Sequence, residues 1–577
     1  MIRSTLLAAL LLGITGAATA QTATAPVKKP AASAPEPMVG QLMVKLRAPT
    51  ASERVQRLGA QRVSALSKSA GLALESVRPM AGDATVMRLP QPMPLSQAQA
   101  VIDRLRADAD VEWAAPDLPV RRQQTQVPPD QGFATLQWNL FAPTTAFATP
   151  TTGGGTKVFT PTGGANLPTA WARSVGSASV TVAVIDTGVA LGHRDLRGRM
   201  LPGYDFVSSA ALQGDQPNLP ANFVSNDGDG RDADPSDPGD WVTAAEEAMY
   251  PVACRDATAP SSWHGTHMAG IVAAQWGNDV DAAINTIRPG TRLAGIGPAL
   301  RILPIRALGK CGGTSSDVID AMYWAVGLPV TGVPTNPNPA RVVNLSLGGV
   351  GRACVAGTTY FNAINAVLRT GAIVLAATGN GGEDGIGDEG ALQPANCSGV
   401  FGITAHSVNG DSAVYANTAL RTNLSEVLIS APGGGAPFQL PVVNPPLEQS
   451  DNANVIWSTG LFGATTPTSP ASTTDNRSGD SILGLTGTSP ATPHVAATVA
   501  LMLSIQPSLT RDQVRGILIA SARPHPPGTY CGPGQPGETT CGAGLLDAGR
   551  ALAAVMPTAP AVPPVAPPLP PEPAPVP

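Results

Sequence analysis

The sequence predicts an α/β protein: a mainly parallel sheet covered by helices on both faces, preceded by a smaller α+β unit. Two observations carry this expectation. Short apolar runs rich in β-branched residues recur between residues 180 and 405, and stretches with helical spacing separate them. Several of the runs close on Gly-containing turns that carry polar residues. Such turns fall at the carboxyl ends of parallel strands, where open α/β sheets place their sites.

The elements follow in order. Residues 180–185 form an apolar run that ends in Asp186-Thr187-Gly188. His264-Gly265-Thr266-His267-Met268-Ala269-Gly270 opens an apolar helix that continues to Ala274. A strand is expected over 301–307, a helix over 315–326, and a strand over 341–346 that ends in Leu347-Gly348-Gly349. A helix over 360–369 leads to a strand over 372–377, closed by Thr378-Gly379-Asn380, and a further strand covers 400–405. Last, the tight turn Gly487-Thr488-Ser489 feeds a mostly apolar helix that runs to Ile505. Ser489 is expected at its N-terminus, where unpaired N–H groups and the helix dipole favour a developing anion. Pro490 is expected at the first helical position, where a missing donor costs little.

The flanking regions read differently. Residues 1–20 have the pattern of a secretory signal: Arg3, an apolar core over 6–14, and Ala18-Thr19-Ala20 as a cleavage site. An Ala/Pro/Thr linker spans 21–37. A small mixed unit spans 38–122, with strands expected at 41–46, 85–89 and 111–113 and helices at 52–58 and 96–106, Ser96 capping the latter. Pro and Gln dominate a cleavable joint at 123–130. The large domain covers 131–555, and an extended Pro-rich tail covers 556–577.

The 577 residues carry a net charge of −5, too mild to point to nucleic acid or an electrostatic membrane partner. No run after the signal is long enough to span a bilayer, and no long series of alternating segments suggests a membrane barrel. The six cysteines of an exported chain suggest three disulfides. Sequential pairing, Cys254–Cys311, Cys354–Cys397 and Cys531–Cys541, is the expectation among several connectivities. A metal cluster is the rival reading, but the chain has no Cys-x-x-Cys pair.

Four positions carry candidate chemistry. Asp186 at a strand end can orient a histidine by accepting its ring N–H. His264, at a loop-to-helix junction, suits a general base. Asn380 can offer an amide N–H to an oxyanion, and Ser489 suits a nucleophile. Each also has a plain reading, as a turn aspartate, a helix histidine, a turn asparagine or a capping serine. His264 and His267 are three apart on one helix face, yet the Glu of a zinc protease motif is missing. Between these motifs lies an acidic stretch holding Asp227, Asp229, Asp232, Asp234, Asp237 and Asp240. Crowded like charges ask for a cation, and hard oxygen donors favour structural Ca²⁺. The spacing departs from the EF-hand, which has Gly at its sixth position and Glu at its twelfth. A solvated acidic loop is the alternative.

Taken together, Asp186-Thr-Gly, His264-Gly-Thr-His, Asn380 and Gly487-Thr-Ser489 resemble the subtilisin-like serine proteases, the subtilases of peptidase family S8. The order Asp, His, Ser is the subtilisin order. The resemblance covers about 165–550 and is closest in character to secreted proteases of Gram-negative bacteria. It implies a subtilisin-like three-layer α/β/α domain with a mainly parallel seven-stranded sheet, and endopeptidase activity on proteins and peptides. It makes 38–122 an inhibitory and folding-assisting prodomain, and the chain a self-processing zymogen. By position, Ser489 becomes the nucleophile, His264 the base and Asp186 its partner. Asn380 and the Ser489 N–H become the oxyanion hole, and Ser346-Leu347-Gly348 the segment that pairs with substrate backbone. That pairing implies broad specificity in a secreted, extracellular or periplasmic, monomeric enzyme without an organic cofactor. The alternatives are a maturation protease of narrow specificity and a catalytically silent binding protein on the same fold. Two positions depart from the family pattern: Pro490 stands where Met is usual, and Ala497 where Gly is usual.

Overall fold

The computed structural model describes residues 38–117, 127–151, 155–208, 222–251, 258–277, 292–349, 353–381, 390–436, 455–467 and 480–555, with Cys254 and the short ladder at 280–281 and 286–287; gaps fall at 48, 50–52, 54–55, 81 and 421–422. The expected signal, linker, residues 123–126 of the cleavable joint and the Pro-rich tail lie outside the described residues. The chain divides into two compact units, Met1–Arg122 and Gln123–Pro577.

In the first unit, β1 (Met38–Leu46), β2 (Glu75–Met80), β3 (Ala84–Pro94) and β4 (Val111–Asp117) form an antiparallel sheet in the order β2-β3-β1-β4. Helices α1 (Ala60–Ala70) and α2 (Leu95–Arg106) pack on it through Leu66, Ala98, Val101, Ile102 and Leu105. Two expectations are corrected here. The first described helix lies at Ala60–Ala70, with apolar positions at Val63, Leu66 and Ala70; of the expected 52–58 helix, residues 53 and 56–58 are not helical and the rest lie outside the described residues. Ser96 does not cap the second helix. Pro94 holds the N-cap position without a side-chain bond, because the extended φ/ψ of a proline already suits the residue before a helix.

The second unit opens with α3 (Gln131–Leu136), the hairpin β5 (Phe147–Pro150) and β6 (Thr156–Phe159), and α4 (Leu167–Trp171). It then builds a seven-stranded sheet from β7 (Thr181–Asp186), β8 (Tyr204–Asp205), β11 (Arg301–Arg306), β12 (Val342–Leu345), β13 (Ile373–Ala377), β14 (Phe401–His406) and β15 (Ile429–Pro432). The two-residue strands β9 (Val280–Asp281) and β10 (Thr286–Ile287) pair with each other. The order across the sheet is β15-β14-β13-β12-β7-β11-β8, and every neighbouring pair is parallel.

Strand periodicity sorts the side chains into two cores. Val182 and Val184 of β7, Val342 of β12, and Ile373 and Leu375 of β13 join one cluster, together with α6 (His264–Ala273) and α9 (Thr488–Ile505). Ala183, Ile185, Val343, Leu345, Val374 and Ala376 face the other way, onto α7 (Ser315–Ala325) and α8 (Thr359–Arg369). A sheet so covered explains why its strands read as continuous apolar runs. Each fully buried Val, Leu or Ile contributes about 1.5–3 kcal/mol, so a charged residue at Val184 would break both the strand and its contact with the helices. α9 is buried on all sides from Pro490 to Leu503, which its lack of a polar stripe foretold. The hairpin β16 (Ile456–Leu461) with β17 (Asp480–Leu485) lies along α6, and α5 (Ala244–Met249), α10 (Arg511–Ser521) and α11 (Ala548–Ala554) complete the unit. Disulfides join Cys254 to Cys311, Cys354 to Cys397 and Cys531 to Cys541.

Topology points to one crevice. From β7 the chain moves out to β8 and β11, whereas from β12 it moves the opposite way, to β13, β14 and β15. The adjacent carboxyl ends of β7 and β12 therefore flank the switch point, where open α/β sheets place their ligands.

Candidate active site

Asp186 is the last residue of β7, fully buried, and its Oδ1 lies 2.7 Å from His264 Nδ1. A carboxylate there accepts, so Nδ1 carries the proton and Nε2 keeps its lone pair. The His264 side chain is one-fifth exposed. Burial works to lower the His264 pKa, but the charge and hydrogen bond of Asp186, with Asp240 and Asp237 behind them, raise it above its ordinary value.

The start of α6 is tied to the end of β7 by several bonds. Thr187 Oγ1 accepts from Gly265 N at 3.0 Å and donates to Asp237 Oδ2 at 2.7 Å. Thr266 Oγ1 accepts from Ala190 N. A Cβ on Gly265 would come within 2.1 Å of the Gly188 carbonyl, so only glycine lets the helix approach this closely. Asp240 holds Ser262 through both its N–H and hydroxyl, and Ser262 Oγ in turn accepts from His264 N at 3.3 Å.

His267 has a different part. Its Nε2 faces the carbonyls of Ile456 and Leu483, and burial lowers its pKa to about 3. It is a neutral clamp between α6 and the hairpin, not a partner of His264 in a metal site.

Ser489 is the second residue of α9. Gly487, with φ of 148°, holds the N-cap position, so Pro490 is third in the helix and not first. The turn's geometry moves the helix start back: Gly487 N donates to Tyr415 Oη and to the Gly433 carbonyl. Thr488 Oγ1 and N both donate to Asn380 Oδ1, at 3.0 and 2.9 Å, while Gly379 N donates to Thr488 Oγ1. The Asn380 amide is thereby oriented, with Nδ2 left as its donor. An ideal Cβ on Gly487 would sit 3.2 Å from that Nδ2, which places the donor beside the Gly487–Ser489 turn. Asn417 braces the Asn380 loop, donating to the Gly379 carbonyl and accepting from Gly381 N. Ser489 Oγ itself donates to the Ser346 carbonyl at 3.0 Å. Leu347 is half-buried, and Gly348 and Gly349 are exposed beyond the end of β12.

The six aspartates of the acidic stretch do not gather on one point. Asp227 pairs with Arg306, Asp234 accepts from Ser236, Asp237 from Thr187 and Gly239, and Asp240 from Ser262. Asp232 accepts from Asp234 N, and Asp229 is exposed. Among the described residues no three carboxylates come close enough to share a metal; one such group of possible ligands is His525, Cys531 and Cys541, whose cysteines form a disulfide. As placed, the six aspartates do not form one all-carboxylate centre. The cations are internal: Arg306 from β11 meets Asp205, Asp227 and the Ser225 carbonyl, Arg231 meets Asp317 and Asp320, and Lys310 meets Glu246. Sequence reasoning missed Arg306, Asn417 and Tyr415, which stand far along the chain from the motifs they serve, and gave no role to Thr187 and Thr488, whose partners are distant in sequence.

A family model described as the subtilase family matches residues 177–544. An "Extracellular protease" of Xanthomonas campestris pv. campestris is 35% identical over 513 residues, covering 89% of this chain and 71% of that protein. An "Extracellular basic protease" of Dichelobacter nodosus is 31% identical over 492 residues, covering 84% of this chain and 65% of that protein, so the chain spans somewhat less than two thirds of its length. Among solved structures, a protease from Pseudoalteromonas arctica PAMC 21717 aligns with a TM-score of 0.56 at 35% identity, covering 75% of this chain and all of that one.

Proposed function

We propose that this chain, which belongs to the subtilase family and is a serine peptidase by that membership, is an exported endopeptidase of broad specificity acting through Asp186, His264 and Ser489. The observation that carries the reading is the 2.7 Å bond between Asp186 Oδ1 and His264 Nδ1 at the switch point of the sheet.

Ser489 Oγ attacks the scissile carbonyl carbon and His264 Nε2 takes its proton, while Asp186 stabilises the imidazolium. The oxyanion of the tetrahedral intermediate receives hydrogen bonds from Asn380 Nδ2 and the Ser489 N–H. The C–N bond then breaks, the leaving amine takes the proton from His264, and Ser489 is left acylated. Water, deprotonated by His264, repeats the sequence and releases the acid. The segment 346–349, which follows β12 and is exposed at Gly348 and Gly349, suits pairing with an extended substrate backbone, which recognises main chain and tolerates many side chains.

The first unit, residues 38–122, is read as a prodomain that assists folding and is cut away by the enzyme. The extracellular relatives in two bacteria support export of the mature form. The test is the intact mass of the exported wild type beside Ser489→Ala, with casein hydrolysis as the second readout. Loss of about the first 120 residues in the wild type alone supports both nucleophile and self-processing. Equal maturation in the two assigns the cut to another protease, and casein cleavage by the mature variant would overturn Ser489 as nucleophile.

A further inference from the structure

Ser346 and Ser489 are joined twice. Ser489 Oγ donates to the Ser346 carbonyl at 3.0 Å, and Ser346 Oγ donates to the Ser489 carbonyl at 2.8 Å. The second bond has a cause in the helix. In α9 the carbonyl of Ser489 would ordinarily accept from the N–H of the residue four later, which is Pro493. Proline has no N–H, so the Ser489 carbonyl lacks its helical donor.

The neighbouring carbonyls take added side-chain donors from within the helix: Thr492 Oγ1 on Thr488 and His494 Nδ1 on Pro490. Only for Ser489, among these three, does the donor come from another element. Ser346 is 3% exposed. Asn344 Nδ2 donates to its Oγ at 3.0 Å, which leaves the single hydroxyl proton for the Ser489 carbonyl.

We propose that Ser346 is a positioning residue for the nucleophile, its hydroxyl supplying to the Ser489 carbonyl the hydrogen bond that Pro493 cannot. This rests on Ser489 being the nucleophile. The chain Asn344–Ser346–Ser489 pins the first turn of α9 to the end of β12. It sets where Ser489 Oγ stands relative to Asn380 and His264 without touching substrate through the Ser346 side chain. The substrate-pairing part of the residue is its backbone, which a side-chain change leaves in place.

The test is a double-mutant cycle in the full chain with Ser346→Ala and Pro493→Ala, Ser346→Thr as the conservative variant, and Ser489→Ala as control. Readouts are the rate of labelling by a small fluorophosphonate, which pairs with no strand, kcat and KM on a peptide, and the melting temperature. Ser346→Ala is expected to lower kcat and labelling by about 10- to 100-fold, with KM within about twofold. Ser346→Thr should restore most of the rate. Pro493→Ala returns a backbone N–H to the Ser489 carbonyl, so adding Ser346→Ala in that background should cost less than about threefold. If Ser346→Ala alone fails to fold, an active Ser346→Ala/Pro493→Ala enzyme supports the proposal and an inactive one overturns it. Wild-type kcat in Ser346→Ala, or the same loss in both backgrounds, also overturns it. Labelling that survives in Ser489→Ala would instead remove the nucleophile assignment itself.

Discussion

Asn380 Oδ1 accepts hydrogen bonds from both the N–H and the hydroxyl of Thr488, at 2.9 and 3.0 Å. Thr488, the residue before Ser489, therefore orients the Asn380 amide. Asn380→Ala is expected to lower kcat by about 10²–10³ with little change in KM, since the lost donor acts on charge that develops only in the transition state. Asn380→Asp should be at least as damaging, because it keeps the acceptor for Thr488 and replaces the donor with a negative charge. Steady-state kinetics on one peptide substrate decides this, and a variant that raised KM alone would place Asn380 in substrate binding.

Asp240 lies behind Ser262, and its charge helps to raise the His264 pKa. The base must be neutral to accept a proton, so activity falls as pH drops through the His264 pKa. That acid limb is expected above the ordinary histidine value of about 6.5. Removing a nearby negative charge makes the imidazolium less favourable and lowers the pKa. Asp240→Asn should thus move the acid limb of the kcat/KM profile to lower pH. A limb that stays in place would show that Asp240 acts only through Ser262. The sign for stability runs the other way. The contribution from charged His264 is full below its unfolded pKa and is lost as pH rises through the raised folded value.

Much of the candidate site was legible in the chain because its motifs are local. Asp186, His264, Asn380 and Ser489 each stand at a strand end or helix start that a short run of sequence announces. The residues that hold them are not local. Thr187 reads as a turn residue until Asp237, fifty positions on, is seen to accept its hydroxyl at 2.7 Å. Tyr415 reads as a lone aromatic, yet its hydroxyl accepts from Gly487 and donates to the carbonyls of Gly433 and Gly434. The acidic stretch shows only its own charges in the sequence. Its counter-charge sits on Arg306, in a strand whose apolar pattern gave no hint that the arginine at its end was buried.

Gly265 tests how closely α6 must approach β7. An added methyl would meet the Gly188 carbonyl at 2.1 Å and Asp186 Cβ at 3.0 Å, both in rigid parts of the fold. Gly265→Ala is expected to cost about 1–3 kcal/mol of stability through overpacking. The helix can relieve the clash only by moving away from Asp186, so kcat should fall by about 10²-fold as His264 is misplaced. Thermal unfolding and kcat measured on the same preparation check both. Full activity with lowered stability would mean that the strain relaxes elsewhere than at the Asp186–His264 bond.

Arg306 is 1% exposed at the side chain and faces Asp205, which is wholly buried, and Asp227. Burial raises the Asp205 pKa to about 7 even against the pull of the guanidinium. Taking that partner away leaves the Asp205 carboxylate unpaired in low dielectric, a change that typically costs about 3–5 kcal/mol. Arg306→Met should lower the melting temperature most at alkaline pH. Its gap to the wild type should narrow as pH falls, since protonation removes the unpaired charge. Added calcium separates the two ways of neutralising the acidic stretch. With the aspartates committed to separate partners, calcium should leave the gap open. A gap that calcium closes would show that Asp227 and its neighbours take a metal once the guanidinium is gone.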